Sequence, residues 1–275
     1  MNPHLLEKVN FFELENPLLQ FASNVTSQCG EDGILNAIFE IVAPKNKYFV
    51  EFGAWDGQFL SNCFNLTKAS DWGGCFIESN SDKFKQLIVN HGSNGKIKCV
   101  NKFVEFDGEH SLDNILKSIE APKNLDLLSI DIDGTDYFIW ESLKLFEPSI
   151  VVIEFNPTIP NDIAFVQQKD SKINQGCSLL ALIILGKEKG YELICSTSWN
   201  AFFAKKDLFP QFNIRSNFIS YMYSPVMDGR IFQGYDSYIY IHGMDSLVWK
   251  EGTPLSSDDF QVIPEKFRTF QDAQG

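Results

Sequence analysis

The chain is poor in the groups that soft-metal and dinucleotide chemistry need. Only four histidines occur, and no two of the six cysteines stand at C-x-x-C spacing, which leaves no ligand set for zinc. No G-x-G-x-x-G follows an apolar run, and no Tyr-x-x-x-Lys pair falls where a nicotinamide-dependent sugar enzyme would need it. Positive charge is scarce as well: 23 Lys and Arg face 36 Asp and Glu, a formal charge of −13. The resulting field repels nucleic acid and anionic membrane alike. The longest apolar run, Ser178 to Gly186, is too short to cross a bilayer, and acidic residues near the start (Glu7, Glu13, Glu15) do not read as a signal peptide. The scattered cysteines are expected to be reduced thiols of a cytoplasmic protein. Neither an internal repeat nor a low-complexity linker is visible.

What is present is enough for a full core. In 275 residues, 44% are hydrophobic and 25 are Phe, which fits one large α/β domain with decorations. The organising stretch is Tyr48-Phe-Val-Glu-Phe-Gly-Ala-Trp-Asp-Gly57. It runs from strand-forming residues into a turn bracketed by Gly53 and Gly57, and an amphipathic segment from Leu60 to Ala69 predicts a helix. Strand, glycine turn and helix form the ligand-cradling unit of doubly wound sheets. Trp55 and Trp140 read as core or pocket wall.

Further strands are predicted at 73–78, 96–104, 125–131 and 149–154, separated by helices at 81–90, at about 108–118 and at 137–145. A strongly apolar helix, 176–189, leads to two strands, 191–196 and 201–204, joined by Thr197-Ser-Trp-Asn200. Before the first strand, residues 1–26 predict a helical cap broken at Asn16-Pro17. Ser27 or Asp32 is placed to cap a helix from Ile34 to Val42. The core is expected to span 27–210. The Phe/Tyr-rich extension 211–275 is expected to pack on it and to complete an acceptor pocket or an oligomer contact.

In such a sheet ligands bind beyond the carboxyl ends of the strands, and those ends carry acids: Glu51, Glu78, Asp107, Asp131 with Asp133, and Glu154 with Asn156. Buried acids are costly unless something positive meets them. Glu78 lies 25 residues beyond Gly53, where a carboxylate can hold ribose hydroxyls. Asp131, Asp133, Glu154 and Asn156 are hard oxygen donors suited to Mg²⁺, Mn²⁺ or Ca²⁺. The alternative is that these acids are helix caps and turn formers. Trp199 is a candidate wall for an acceptor sugar. His4, His91 and His110 read as surface or loop residues.

Glu51-x-Gly53-x-Trp55-x-Gly57 resembles motif I of class I S-adenosylmethionine (SAM) methyltransferases, with Trp55 in place of the middle glycine. The strand-end acids resemble the metal sites of catechol-type and macrocin-type O-methyltransferases. The chain is most similar to FkbM-type methyltransferases. The motifs are Ser27-Gln-x-Gly-Glu-Asp-Gly33, Phe49 to Gly57, Leu60-Ser-Asn62, Ser129-Ile-Asp-Ile-Asp-Gly134 with Asp136-Tyr137 and Trp140, Val152-Ile-Glu-Phe-Asn-Pro157, Gly190-Tyr-Glu-Leu193 and Asn200-Ala-Phe-Phe203. The resemblance covers roughly 27–210. It implies an α/β, Rossmann-like fold with a mostly parallel seven-stranded sheet, an antiparallel last strand and helices on both faces. It implies O-methylation of a sugar, glycan or related polyol hydroxyl, with SAM as methyl donor and a divalent cation (Mg or Mn).

Cofactor contacts are then expected from Gln28, Glu51, Gly53, Ala54, Asp56, Gly57, Asn62, Glu78, Ser79, Asp107 and Asp131. Asp107 would meet the adenine amino group, and Ser27, Gln28, Glu31 and Asp32 would close over SAM or metal. Catechol-type enzymes carry a lysine base where Gly134 stands here. Catalysis therefore falls to Asp131 with Asp133, His242 or the metal site as base. The expected partners are a small-molecule or glycan acceptor and a possible homo-oligomer, with neither nucleic acid nor membrane. The rival readings are a methyltransferase-fold binding protein without activity and a nicotinamide-dependent sugar enzyme.

Overall fold

The computed structural model describes residues 16–223, 229–247 and 250–268. The apolar runs become one seven-stranded sheet: β1 Tyr48–Phe52, β2 Gly73–Glu78, β3 Ile97–Asn101, β4 Leu127–Ile130, β5 Ile150–Glu154, β6 Tyr191–Ser196 and β7 Asn200–Lys205. Their order is β3-β2-β1-β4-β5-β7-β6. β1 to β5 pair in parallel, and β7 runs antiparallel to both β5 and β6. This is the Rossmann-like, mostly parallel seven-stranded arrangement with an antiparallel last strand that the sequence implied. The order reverses between β1 and β4, the switch point beyond whose carboxyl ends sheets of this kind bind their ligands.

Strand alternation decides which helices cover which face. Phe49, Phe76, Leu127, Val152 and Phe202 are buried with Ile34, Leu35 and Ile38 of α1 (Glu31–Ile41) and Leu87. The short α2 (Phe64–Thr67) and α3 (Ser81–His91) lie on this side. Val50, Leu128, Val151 and Phe203 face the other way, against α4 (Leu112–Ser118), α5 (Asp136–Ser142) and α6 (Leu179–Glu188). Fully burying each such side chain contributes about 1.5–3 kcal/mol. Asn80, Ser111 and Ser178 cap α3, α4 and α6 through their side-chain oxygens.

Several elements are shorter than the sequence predicted, among them α4, α5, α6 and β4. Leu60 sits at φ 54° and Ser61 is held by the sheet, so the 60–69 helix is only α2. β3 stops at Asn101, whose side-chain amide donates to the Glu78 carbonyl at 2.7 Å. Of the cap, residues 1–15 lie outside the described residues; Asn16 and Leu18 are buried, and a 3-10 turn spans Leu19–Phe21.

The chain divides into two units, Met1–Ser224 and Pro225–Gly275. The first continues past position 210 because Phe212, Ile219, Met222 and Tyr223 are buried in its core. The second holds two hairpins, β8 Arg230–Gln233 with β9 Ile239–His242 and β10 Ser246–Leu247 with β11 Lys250–Pro254. All six cysteines are free. No helix among the described residues is long and apolar enough to cross a membrane.

Candidate active site

By alternation from the buried residues of the α1 face, polar side chains stand in two successive rows near the carboxyl edge of the sheet: Glu51 and Ser129 are paired with each other, one row behind Glu78, Glu154 and Asn200. Glu78 ends β2, Glu51 follows Phe49 on β1, Ser129 follows Leu127 on β4, Glu154 follows Val152 on β5, and Asn200 opens β7 opposite Glu154. The outer row lies nearest the carboxyl edge, where a ligand can lie, whereas Glu51 and Ser129 are buried behind it and held by Ser61 and Asn62.

The β1 turn is fixed by backbone geometry. Gly53 has φ 75°, and a Cβ there would collide with the Asp131 carbonyl oxygen. Only glycine permits both the left-handed conformation and that approach. Ala54 N–H donates to the Ile77 carbonyl at 3.2 Å. Asp56 accepts from the backbone N–H groups of Gln58 and Phe59 at 2.9 and 2.7 Å, which closes the turn. The ring Nε2 of His91 meets the Gly57 carbonyl at 2.8 Å; this histidine is buried between the Phe64 and Phe76 rings, not on the surface as its position suggested.

Glu51 accepts from the Ser61 hydroxyl at 2.6 Å and from Asn62 N–H at 2.9 Å. The Asn62 amide in turn donates to Ser129 Oγ at 3.1 Å. Burial pushes the Glu51 carboxyl up to about 7. Glu51 and Asn62 thus hold the loop after the turn. Glu78 accepts from Trp55 N–H at 2.8 Å on one oxygen, which keeps a lone pair for a ligand hydroxyl, and on the other from Asn80 N–H at 2.6 Å and the Ser79 hydroxyl at 3.5 Å. Ser79 lies exposed beside it, and Gln28 is exposed on the loop before α1. Trp140 is core, but Trp55 is 44% exposed at φ 53°, with the Lys83 ammonium over its ring at 4.1 Å.

The sharpest feature lies across β4 and β5. Asp131, Asp133 and Glu154 bring carboxylate oxygens within 4.8 Å of one another. Burial, with Asp136, Asp133, Glu51 and Glu31 nearby, holds the Asp131 carboxyl well above the usual range. Glu154 is pushed up to about 10 by burial and by Asp131, Asp136 and Asp133. Asp136 accepts from Ile132 and Gly134 N–H, both at 2.9 Å, and burial still raises it to about 6. Among the described residues, no ion pair joins a lysine or arginine to any of these carboxylates. Asp133 itself sits at φ 57°, a left-handed turn that Asp tolerates. An unneutralised set of hard oxygen donors suits a divalent cation.

Asn156 does not complete that set. Its Oδ1 accepts from Thr158 N–H and Oγ1, and its Nδ2 donates to the Gln175 carbonyl, so it braces a loop. Asp107 lies exposed in the loop six positions past the end of β3 (107 − 101), not at the strand end. His242 belongs to the second unit, exposed on β9 opposite Arg230, whereas the carboxylate cluster is built entirely from the first. Trp199 is half-buried in the β6–β7 turn.

A further pair of acids joins the α1 N-terminus to this edge. Asp32 accepts from the N–H groups of Val25, Thr26 and Ser27, each at 2.8 Å, and its own N–H returns to Ser27 Oγ. Glu31 is fully buried; it accepts from Cys29 N–H, the Thr197 hydroxyl at 2.8 Å and the Asn200 amide at 3.2 Å. The sequence placed Glu31 near the site by its motif, but two of its partners, Thr197 and Asn200, lie more than 160 positions away. Asp32 Oδ1 and Asn200 Oδ1 are buried acceptors that meet no donor.

No protein-family model and no curated protein matches the chain. Several solved structures are similar in shape. The N-terminal domain of EvdMO1 with S-adenosyl-homocysteine (SAH) bound is 11% identical over 74% of this chain and 97% of its own, with a TM-score of 0.43. TrmK of M. capricolum, in complex with SAH, is 13% identical over 62% and 67%, at 0.38. NcsB1, an O-methyltransferase from neocarzinostatin biosynthesis in complex with SAH and 1,4-dihydroxy-2-naphthoic acid, is 13% identical over 64% and 57%, at 0.37. The fold assignment rests on the strand order itself.

Proposed function

We propose that the chain is a SAM-dependent O-methyltransferase, assisted by a divalent cation, that acts on a hydroxyl of a sugar, glycan or related polyol. The observation that carries this reading is the Asp131–Asp133–Glu154 trio on a sheet edge that is rich in acceptors and, among the described residues, has no lysine or arginine ion-paired to it. SAM supplies a methyl group on a sulfonium, which an acceptor oxygen takes in line as the S–C bond breaks and SAH leaves. A cation held by Asp131, Asp133 and Glu154 would lower the pKa of an acceptor hydroxyl. The chain's own residues position the reactants. Glu78 binds ribose hydroxyls, while Gly53 and Gly57 let the ligand lie close to backbone. The trio fixes the acceptor oxygen against the methyl group, where orientation supplies much of the rate. Asp133 is the exposed member of the trio and the one open to the acceptor's proton.

The test is SAH release from SAM with Mn²⁺ across a panel of hydroxylated sugars. Turnover on at least one sugar, lost in Asp131→Asn while that variant still binds SAH, is the expected result. Cofactor binding with no turnover on any hydroxylated acceptor favours the inactive binding protein instead. Stabilisation by NAD without any by SAM favours the nicotinamide reading.

A further inference from the structure

Trp55 takes the left-handed conformation, φ 53°, at a turn position where glycine would adopt it without cost. A bulky residue held there stores strain, and such strain persists where a side chain is needed in that place. Packing gives no account of it, because the residue is 44% exposed. What the structure does show is a mounting. The Trp55 N–H is tied to the Glu78 carboxylate at 2.8 Å, and the Lys83 ammonium lies over the indole ring at 4.1 Å. Glu78 is itself buried at the end of β2.

We infer that the exposed side of the Trp55 ring is the stacking wall for the nucleoside of the bound cofactor. This rests on the SAM reading above and adds a contact to it. Two observations favour the purine over the sulfonium. The Trp55 backbone N–H is tied to Glu78, the acid assigned to ribose, which places the residue beside that acid and not at the Asp131 cluster where methyl transfer is placed. The Lys83 ammonium already lies over one face of the ring, so a sulfonium on the other face would meet a like charge across the ring, whereas a neutral purine would not. A planar base on the remaining face completes a sandwich in which the ammonium lies on one side and the purine on the other.

The test is calorimetry of the full chain with SAH, SAM and adenosine, on wild type, Trp55→Gly and Trp55→Phe. Trp55→Gly relieves the backbone strain yet is expected to weaken all three ligands alike, by about tenfold, as the loss of one base–aromatic stack would. Trp55→Phe is expected to keep most of the affinity. SAH is expected to quench the intrinsic fluorescence of wild type, and that quench should vanish in Trp55→Phe, a readout that does not depend on the glycine variant folding. Unchanged binding in Trp55→Gly, a loss confined to SAM, or a quench that survives in Trp55→Phe overturns the inference while leaving the methyltransferase reading intact. A wild-type protein that binds neither SAH nor adenosine overturns both.

Discussion

Asp131 and Glu154 leave the adjacent parallel strands β4 and β5 with carboxylate oxygens within 4.8 Å of each other, and among the described residues neither is ion-paired with a lysine or arginine. Folding alone gives no reason to place them so, since both lose hydration and repel one another. A cation held between them would offset both costs.

The free protein should therefore lose stability as pH rises. In the folded chain the Glu51, Asp136 and Glu154 carboxyls are pushed up, to about 7, 6 and 10, chiefly by burial. A raised carboxyl favours folding while protonated. Its contribution is complete below the unfolded value of about 4 and fades as pH climbs through the folded value. Melting temperature is expected to fall between about pH 5 and about pH 8, and saturating Mn²⁺ to raise it more at the upper end. A flat profile with no metal dependence contradicts this.

Removing one charge from the cluster should separate stability from binding. Asp131→Asn is expected to stabilise the free protein, by on the order of 1 kcal/mol in urea denaturation, because a desolvated charge facing other acids is lost. The same variant should lose its Mn²⁺-induced shift in melting temperature. A destabilised variant that keeps the shift would mean that Asp131 is a structural cap.

Gly53→Ala tests the β1 turn. The left-handed φ and the approach of the Asp131 carbonyl leave no room for a methyl group. A loss of about 3 kcal/mol or more is expected, on the scale of strained-backbone and overpacking variants. Near-wild-type stability would show that the turn relaxes freely.

Glu31 should act as a structural tether. Glu31→Ala leaves the Cys29 N–H, the Thr197 hydroxyl and the Asn200 amide without their acceptor in a buried site. About 3 kcal/mol of destabilisation is expected. Thr197→Val, which removes one of these donors, should cost about 1 kcal/mol. Equal stability of both variants and wild type contradicts the tether.

Much of this was legible in the sequence for identifiable reasons. β5 is a run of Ile and Val that has to be buried, and Gly53 and Gly57 mark a turn that only glycine makes without strain. Asp131, Asp133 and Glu154 could be grouped because strands 4 and 5 were expected to be neighbours. What was hidden depends on backbone states and long-range partners. Nothing in Gln58-Phe-Leu-Ser61 announces that Leu60 turns left-handed and shortens the following helix. The Glu31 contacts join positions 31 and 197–200, and His91 is buried because Gly57 offers its carbonyl. Asn156 has a plausible metal-binding side chain, but its neighbours Thr158 and Gln175 occupy it.

The most direct measurement is calorimetric titration of SAM into the protein with Mn²⁺ present and again with EDTA, followed by Mn²⁺ alone into wild type and Asp131→Asn. SAM is expected to bind under both conditions, with a separate Mn²⁺ signal that disappears in Asp131→Asn. Absence of SAM binding with and without metal would contradict it and leave a Rossmann-like domain whose ligand is some other molecule.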